Sequence, residues 1–203
     1  ESSIVDRIIA ATKGTMSDEL SNGEGNTYSQ MAWNTYLIDP LFDNNGQIEG
    51  EYISNFSSSS KSQSKETESM GGMNEFLFSL GGSFKEKLYL GLTIGIPTID
   101  FYEYSEYTER EASDTSNNLR KMLFSEEISA YGTGYNLKFG AIYRLSERVK
   151  IGGSLHTPTF FSVEEDYNTS ITTFFKDSTL DYSMGYLNPF NYDLITPLKA
   201  SIS

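Results

Sequence analysis

The sequence predicts an all-β chain: an antiparallel meander from a transmembrane β-barrel, incomplete in this chain, with short helical segments near the amino terminus. Three observations carry this. Several stretches alternate apolar and polar residues with period two, the mark of a strand with one wet face. Short polar turns lie at one end of these stretches and long acidic connections at the other, as in barrels whose long loops face outward. Among 203 residues there are 17 glycines, 14 tyrosines and 13 phenylalanines, a mix that suits strands with small residues on one side and aromatics at the rims.

In chain order, Ser3 and Asp6 are spaced as a capping box, and Ile4, Val5, Ile8 and Ile9 give a short helical stripe to about Thr12. Gly14 to Gln30 is polar and glycine-rich and reads as loop. Met31 to Ile38 fits helix or strand, and Asn44-Asn45-Gly46 marks a turn. Ser57 to Ser69 is low-complexity serine, lysine and glutamate, expected as a mobile stretch or an extended edge. The alternating region opens at Gly72 to Ser83 with Phe76, Phe78 and Leu80, and a turn follows at Lys85-Glu86-Lys87.

The strongest strand is Leu88 to Pro97. Leu88, Leu90, Leu92, Ile94 and Ile96 fall on one face, and Tyr89, Gly91, Thr93 and Gly95 on the other. Pro97 belongs at an edge, a bulge or a strand end. Residues 98–130 are acidic and read as a long loop, with its tip at Asp114 to Asn118; Phe101 to Tyr107 could extend the strand outward. A hairpin then spans Gly134 to Phe160, with Leu137, Phe139, Ala141 and Tyr143 on one face and Lys138, Gly140, Ile142 and Arg144 on the other. Its turn is Ser146-Glu147-Arg148, after which Ile151 and Leu155 alternate with Lys150 and His156. Residues 158–191 form a second long acidic connection, with an alternating stretch at Phe160 to Phe175. The last strand places Tyr192, Leu194, Thr196, Leu198, Ala200 and Ile202 on one face. The whole of 1–203 is thus expected as one barrel-derived domain, with a mixed leader at 1–70, plug-side or extracellular, and antiparallel strands over 72–203.

Two environments fit the apolar faces. A soluble sandwich or small barrel, binding a protein or ligand without catalysis, buries them against a second layer. A membrane barrel turns Leu88, Leu90, Leu92, Ile94, Ile96, Leu137 and Phe139 to lipid and keeps Lys138, Arg144 and Lys150 in a wet lumen. The segregation of loop lengths favours the barrel.

Chemistry is sparse. The net charge of −13 argues against nucleic-acid partners, which want a basic stripe. Cysteine is absent, and His156 is the single histidine, so neither a Ser-His-Asp triad nor a His/Cys metal site is expected. Asp43, Asn44, Asn45, Gly46 and Glu49 miss the spacing of a twelve-residue calcium loop. Glu164 and Asp166 share a side of their strand, and Glu126 adjoins Glu127, but solvated loop carboxylates explain both, leaving weak calcium binding open. Gly132-Thr133-Gly134 lacks the strand-to-helix context of a phosphate loop. Tyr102, Tyr104, Tyr107 and Trp33 could stack ligands or form an aromatic girdle. The expectation is therefore no catalytic residue, no cofactor and no metal. No apolar run reaches the roughly 20 residues of a membrane helix, which bears on helical spans alone.

A likeness supplements this reading. Gly134-Tyr135-Asn136-Leu137, Gly140-Ala141, Tyr143-Arg144, Arg148, Ile151-Gly152 and Thr157-Pro158 together resemble a hairpin of the outer-membrane transporters of long-chain fatty acids and aromatic hydrocarbons, the FadL and toluene-transporter type, especially a Bacteroidetes-like branch. Leu88 to Pro97 and Tyr192 to Pro197 resemble further strands of that barrel, so the likeness covers about Gly72 to Ser203. It implies a porin-like, fourteen-stranded barrel with an amino-terminal plug, passing hydrophobic small molecules through the cell outer membrane. The family's Asn-Pro-Ala-type hatch segment is not recognisable, and the about five to seven strands read here are too few to close such a barrel. The chain is thus expected to be an internal fragment. Its partners would be a hydrophobic small molecule, outer-membrane lipid and the remainder of the parent barrel, or an oligomer of itself when isolated. The matched motif is structural, and no ligand-contacting residue is carried over from it.

Overall fold

The computed structural model of the chain describes residues 3–44, 46–56, 61–111, 118–185 and 189–203. Among them are three helices, α1 (Ile4–Thr12), α2 (Ser17–Asn22) and α3 (Thr27–Asn34), followed by ten strands. These are β1 (Ile38–Asp43), β2 (Gly46–Ser54), β3 (Lys61–Phe84), β4 (Leu88–Glu111), β5 (Leu119–Arg144), β6 (Lys150–His156), β7 (Phe160–Phe175), β8 (Thr179–Ser183), β9 (Phe190–Ile195) and β10 (Lys199–Ile202). The chain is mostly β, its strand pairs are antiparallel, and its helices are few and short. The main sheet runs β10-β6-β5-β4-β3, with β7 pairing β5, β8 and β9. It is open, because its end strands β3 and β10 do not pair with each other.

The residues divide into two compact units. One comprises 1–68, 103–127 and 167–187, the other 69–102, 128–166 and 188–203.

In the first unit α1 forms as its sequence predicts. Ser3 Oγ accepts from Val5 N (3.0 Å), and Ser3 N donates to Asp6 Oδ2 (3.2 Å), closing the capping box. Val5, Ile8 and Thr12 turn inward from this helix. Gly14 to Gln30 differs from the loop predicted for it, since it holds α2 and the start of α3. The glycines that suggested loop lie between these helices. Gly23, at φ 83, ends α2 in the left-handed conformation, and Asn26 caps α3 by accepting from Ser29 N (3.0 Å). The short hairpin β1–β2 turns at Asp43 opposite Gly46, with a register shift between Pro40 and Leu41. Helices and hairpin share a core of Val5, Ile8, Leu20, Met31, Leu37 and Ile38 with Met122, Phe124 and Ile171 of the strands.

The long acidic loops predicted at 98–130 and 158–191 are largely strand. β4 continues to Glu111, β5 begins at Leu119, and β7 and β8 cover most of 160–183. Alternation explains this. In β4, Ser105 and Glu109 are buried while their neighbours stay partly exposed, so a charged segment is still half-buried strand. The predicted tip at 114–118 lies outside the described residues except for Asn118, and so do residues 57–60 of the serine-rich stretch. The rest of that stretch is strand from Lys61 onward, exposed along nearly its full length.

In the second unit the turn at Lys85-Glu86 forms as predicted, with both residues at positive φ (51 and 57) and Lys87 N donating to Phe84 O (3.1 Å). The hairpin β5–β6 pairs Tyr143 with Ile151, Ala141 with Gly153 and Phe139 with Leu155. The last strand differs from its prediction. It breaks between β9 and β10, putting Leu194 opposite Phe161 and Ala200 opposite Leu155. Phe161 lies against Gly134 and Leu155 against Phe139. Those two positions are five apart on β5, so they face opposite ways, and Leu194 and Ala200 do too. Pro197, which has no N–H for a ladder, sits at the break, as Pro158 does at the break between β6 and β7. The two breaks are tied together, Thr159 N donating to Thr196 Oγ1 (2.9 Å) and Thr196 N to Thr159 O (3.1 Å).

Candidate functional site: an exposed apolar sheet face

Period two sets the two faces of the second unit. Leu90, Leu92, Ile94 and Ile96 of β4 and Leu137 and Phe139 of β5 are each between 37% and 47% exposed, and Leu88 is half-buried. Cross-strand pairing adds Ala141, Tyr143, Ile151 and Leu155 to the same surface as Phe139, and β10 extends it with Ala200 and Ile202. Phe76, Phe78, Leu80 and Phe84 of β3 are more exposed still. Among the described residues no second layer covers these side chains. The burial that a sandwich demands of Leu88 to Ile96 is not found.

The apolar band has an edge. Tyr135 stacks on Phe160, ring centroids 5.7 Å apart. Beyond that pair, Asn74, Thr98, Asp100, Tyr131, Thr133, Ser162, Glu164 and Asn191 line a shallow depression of about 540 Å³. Apolar residues, then aromatics, then polar groups follow one another along the strands.

The opposite face carries the three predicted cations, and among the described residues only Lys138 is paired as an ion. Lys138 Nζ lies 2.7 Å from Glu75 Oε2. Arg144 stands opposite Lys150 in the hairpin register, so two like charges are cross-strand neighbours. Its Nε is buried without a hydrogen-bond partner among the described residues, while its backbone N–H donates to Lys87 O (2.8 Å). His156 stands between Lys138 and Lys199 in register, and its Nε2 is likewise buried with no hydrogen-bond partner among the described residues.

Sequence reading missed the group that organises this face. Glu75 Oε1 accepts from Asn136 Nδ2 (2.9 Å), and Asn136 Nδ2 also reaches Thr159 Oγ1 (3.2 Å). Asn136 is 4% exposed and lies against Gly95 of the intervening strand. The available signal was an acid, Glu75, immediately before the alternating Phe76, Phe78 and Leu80.

The other sequence candidates do not converge. Glu126 Oε1 accepts from Tyr167 OH (2.6 Å), Glu165 Oε2 from Tyr192 OH (3.1 Å) and Glu106 Oε2 from Tyr104 OH (3.2 Å). These carboxylates are thus hydrogen-bond acceptors for phenols. Trp33 meets Tyr52 edge-on in the first unit's packing. Among the described residues no group of three metal-ligating side chains comes together, and no helix is long and apolar enough to cross a membrane. No known family model matches the chain, and no curated protein matches it either.

Proposed function

We propose that this chain is part of an outer-membrane β-barrel that admits hydrophobic small molecules, such as fatty acids or aromatic compounds, by passive, non-enzymatic passage. The observation that carries the reading is the continuous, uncovered apolar face of the second unit, bounded by the Tyr135–Phe160 stack and a polar belt. Exposed apolar surface of this extent in water invites association, whereas lipid covers it at no cost. Its height suits a bilayer. From Tyr135 to Arg144 is roughly 30 Å of strand, or about 23 Å along the membrane normal at a tilt near 40°, close to the height of the apolar band of such barrels.

The open sheet is consistent with this reading. β3 and β10 each leave an edge that further strands of a parent barrel would pair. In that barrel Lys138, Arg144 and Lys150 face the lumen, and the helical layer of the first unit covers a face of the strands it packs on. The test is fractionation and heat-modifiability of the native full-length protein. Recovery in the outer-membrane fraction, extraction only by detergent and a gel shift on heating are expected. A native monomer soluble in water overturns the reading.

A further inference from the structure

The first unit contains a groove of about 700 Å³ lined by Tyr36, Ile53, Leu119, Phe175 and Leu180 together with Asp39 and the polar residues Ser54, Asn55, Asn118 and Ser178. We propose that this groove binds an uncharged, ring-bearing hydrophobic molecule. The inference rests on the passage of hydrophobic molecules proposed above and selects among them: neutral aromatics rather than carboxylates.

The groove is braced on each side. Thr173 Oγ1 donates to Thr35 O (2.7 Å), tying β7 to the turn that leads into β1. Asn55 N donates to Leu37 O (3.1 Å) and Asn55 Nδ2 to Tyr36 O (2.8 Å), fixing one wall. On the other wall Lys176 N donates to Asn118 O (2.9 Å) and Phe175 N to Ser178 O (2.8 Å). A cavity held this way exists before its ligand arrives, which is the usual condition of small-molecule sites.

Tyr36 is the residue that points to an occupant. It is not glycine, yet it sits at φ 49 with its side chain 60% exposed. A left-handed backbone disfavours a bulky side chain, and an exposed tyrosine there gains little from packing to offset it. The hydrogen bond from Asn55 holds that conformation and leaves the ring at the groove. With Ile53, Phe175 and Leu180 the ring offers an apolar bed, while the amides and hydroxyls around it serve a single polar substituent.

Charge decides the ligand class. Asp39 is the one charged residue among the described residues of the lining, and the chain carries a net −13. Lys176 follows Phe175 in the wall but is not among the lining residues. A carboxylate entering the groove would meet Asp39 with no cation among the described lining residues to compensate. A neutral phenol would not.

The probes are 2-naphthol and 2-naphthoate, titrated calorimetrically at neutral pH into the full-length protein in detergent, with protein-free micelles as background. 2-Naphthol is expected to bind at least about tenfold more tightly than the anion. Tyr36→Gly, which suits the backbone at φ 49 and removes only the ring, is expected to weaken 2-naphthol binding about tenfold. Asp39→Asn is expected to bring the two probes to within about threefold of each other, with 2-naphthol affinity kept. Tighter or equal binding of 2-naphthoate by the unmodified protein overturns the inference, as does 2-naphthol binding that Tyr36→Gly leaves unchanged, or no 2-naphthol binding at all. None of these readouts depends on where the protein fractionates, so this inference and the membrane reading fail separately.

Discussion

Glu75 on β3 and Lys138 on β5 form an ion pair of 2.7 Å across a whole intervening strand. Two ladder spacings put those strands roughly 9.5 Å apart, so the side chains meet above β4. They can do so because β4 has Gly95 beneath them. A Cβ built at Gly95 would lie 2.6 Å from Asn136 Oδ1 and would also collide with Glu75 Oε1. Gly95→Ala is therefore expected to separate Glu75 from Asn136 and Lys138 and to cost about 1–3 kcal/mol, the range for overpacking. Urea unfolding of the lipid-refolded protein measures it. In the Glu75→Gln background, where the charged contact is already gone, the same substitution should cost less. Equal losses in both backgrounds would show that Gly95 acts independently of the clamp.

Glu109 makes the corresponding tie in the first unit. It is fully buried and accepts from Ser3 Oγ (2.6 and 2.7 Å), Ile4 N (2.9 Å), Tyr107 OH (2.9 Å) and Gln63 Nε2 (3.0 Å), with Lys61 Nζ at 4.0 Å. It thus serves the first turn of α1, where negative charge is favoured, from a strand distant in sequence. Glu109→Ala strands buried donors and is expected to cost roughly 3–5 kcal/mol. Ser3→Ala should cost about 1 kcal/mol as a lost cap. The pair is expected to couple by about 0.5–3 kcal/mol in a double-mutant cycle. Hydrogen exchange at Val5 to Thr12 should rise in either variant, and protection equal to that of the unmodified protein would refute the tie.

Why β4 and the hairpin were legible while these ties were not comes down to range. Leu88 to Ile96 and Leu137 to Tyr143 announce their faces by strict alternation, and Ser3 and Asp6 announce a cap by spacing, all within a few residues. Glu109 was counted among loop acids because nothing nearby in sequence shows that Ser3, more than a hundred positions away, will meet it. The loop reading of residues 98–111 failed for a related reason. Acid content suggested solvent, but a strand needs only one of its faces covered, and Ser105 and Glu109, both buried on the same face with the partly buried Tyr107 between them, supply that largely with polar side chains. Asn26 and Gly23, taken as loop formers, turned out to be the boundaries of α2 and α3. The groove at Tyr36 was hidden for the same reason as the ties, since its walls come from three separated segments.

Glycines in the wall of the second unit divide into two kinds. A Cβ at Gly134 would lie 2.7 Å from Phe161 Cδ1 and 2.8 Å from the backbone oxygen of Phe160, whereas a Cβ at Gly140 would meet nothing within 4 Å. Phe161 is 4% exposed and packed with Ala130 and Val163, so it cannot swing away. Gly134→Ala is expected to destabilise by about 1–3 kcal/mol through overpacking. Gly140→Ala should lie within about 0.5 kcal/mol of the unmodified protein or stabilise it slightly by restricting the unfolded chain. Unfolding curves of the two variants, measured side by side, test this, and equal effects would contradict the close approach of β5 and β7 at Gly134.

Tyr167 sets an alkaline limit on the first unit. Its hydroxyl donates to Glu126 Oε1 (2.6 Å) and lies 3.4 Å from Tyr28 OH. Burial, followed by the bond to Glu126, holds its ionisation far above the ordinary phenol value of 10.0. In the unfolded chain the same phenol ionises near 10, so above that pH the unfolded state binds fewer protons than the folded state. The stabilisation is fully present below pH 10 and is lost as pH rises toward the folded value. Tyr167→Phe removes this dependence along with the hydrogen bond. The variant should be less stable than the unmodified protein near neutrality, yet lose stability less steeply between about pH 10 and 12. Thermal midpoints recorded across that range decide the matter. Parallel curves would mean that Tyr167 ionises in the folded protein as it does in the unfolded one, and the Glu126 contact would then carry none of the alkaline sensitivity.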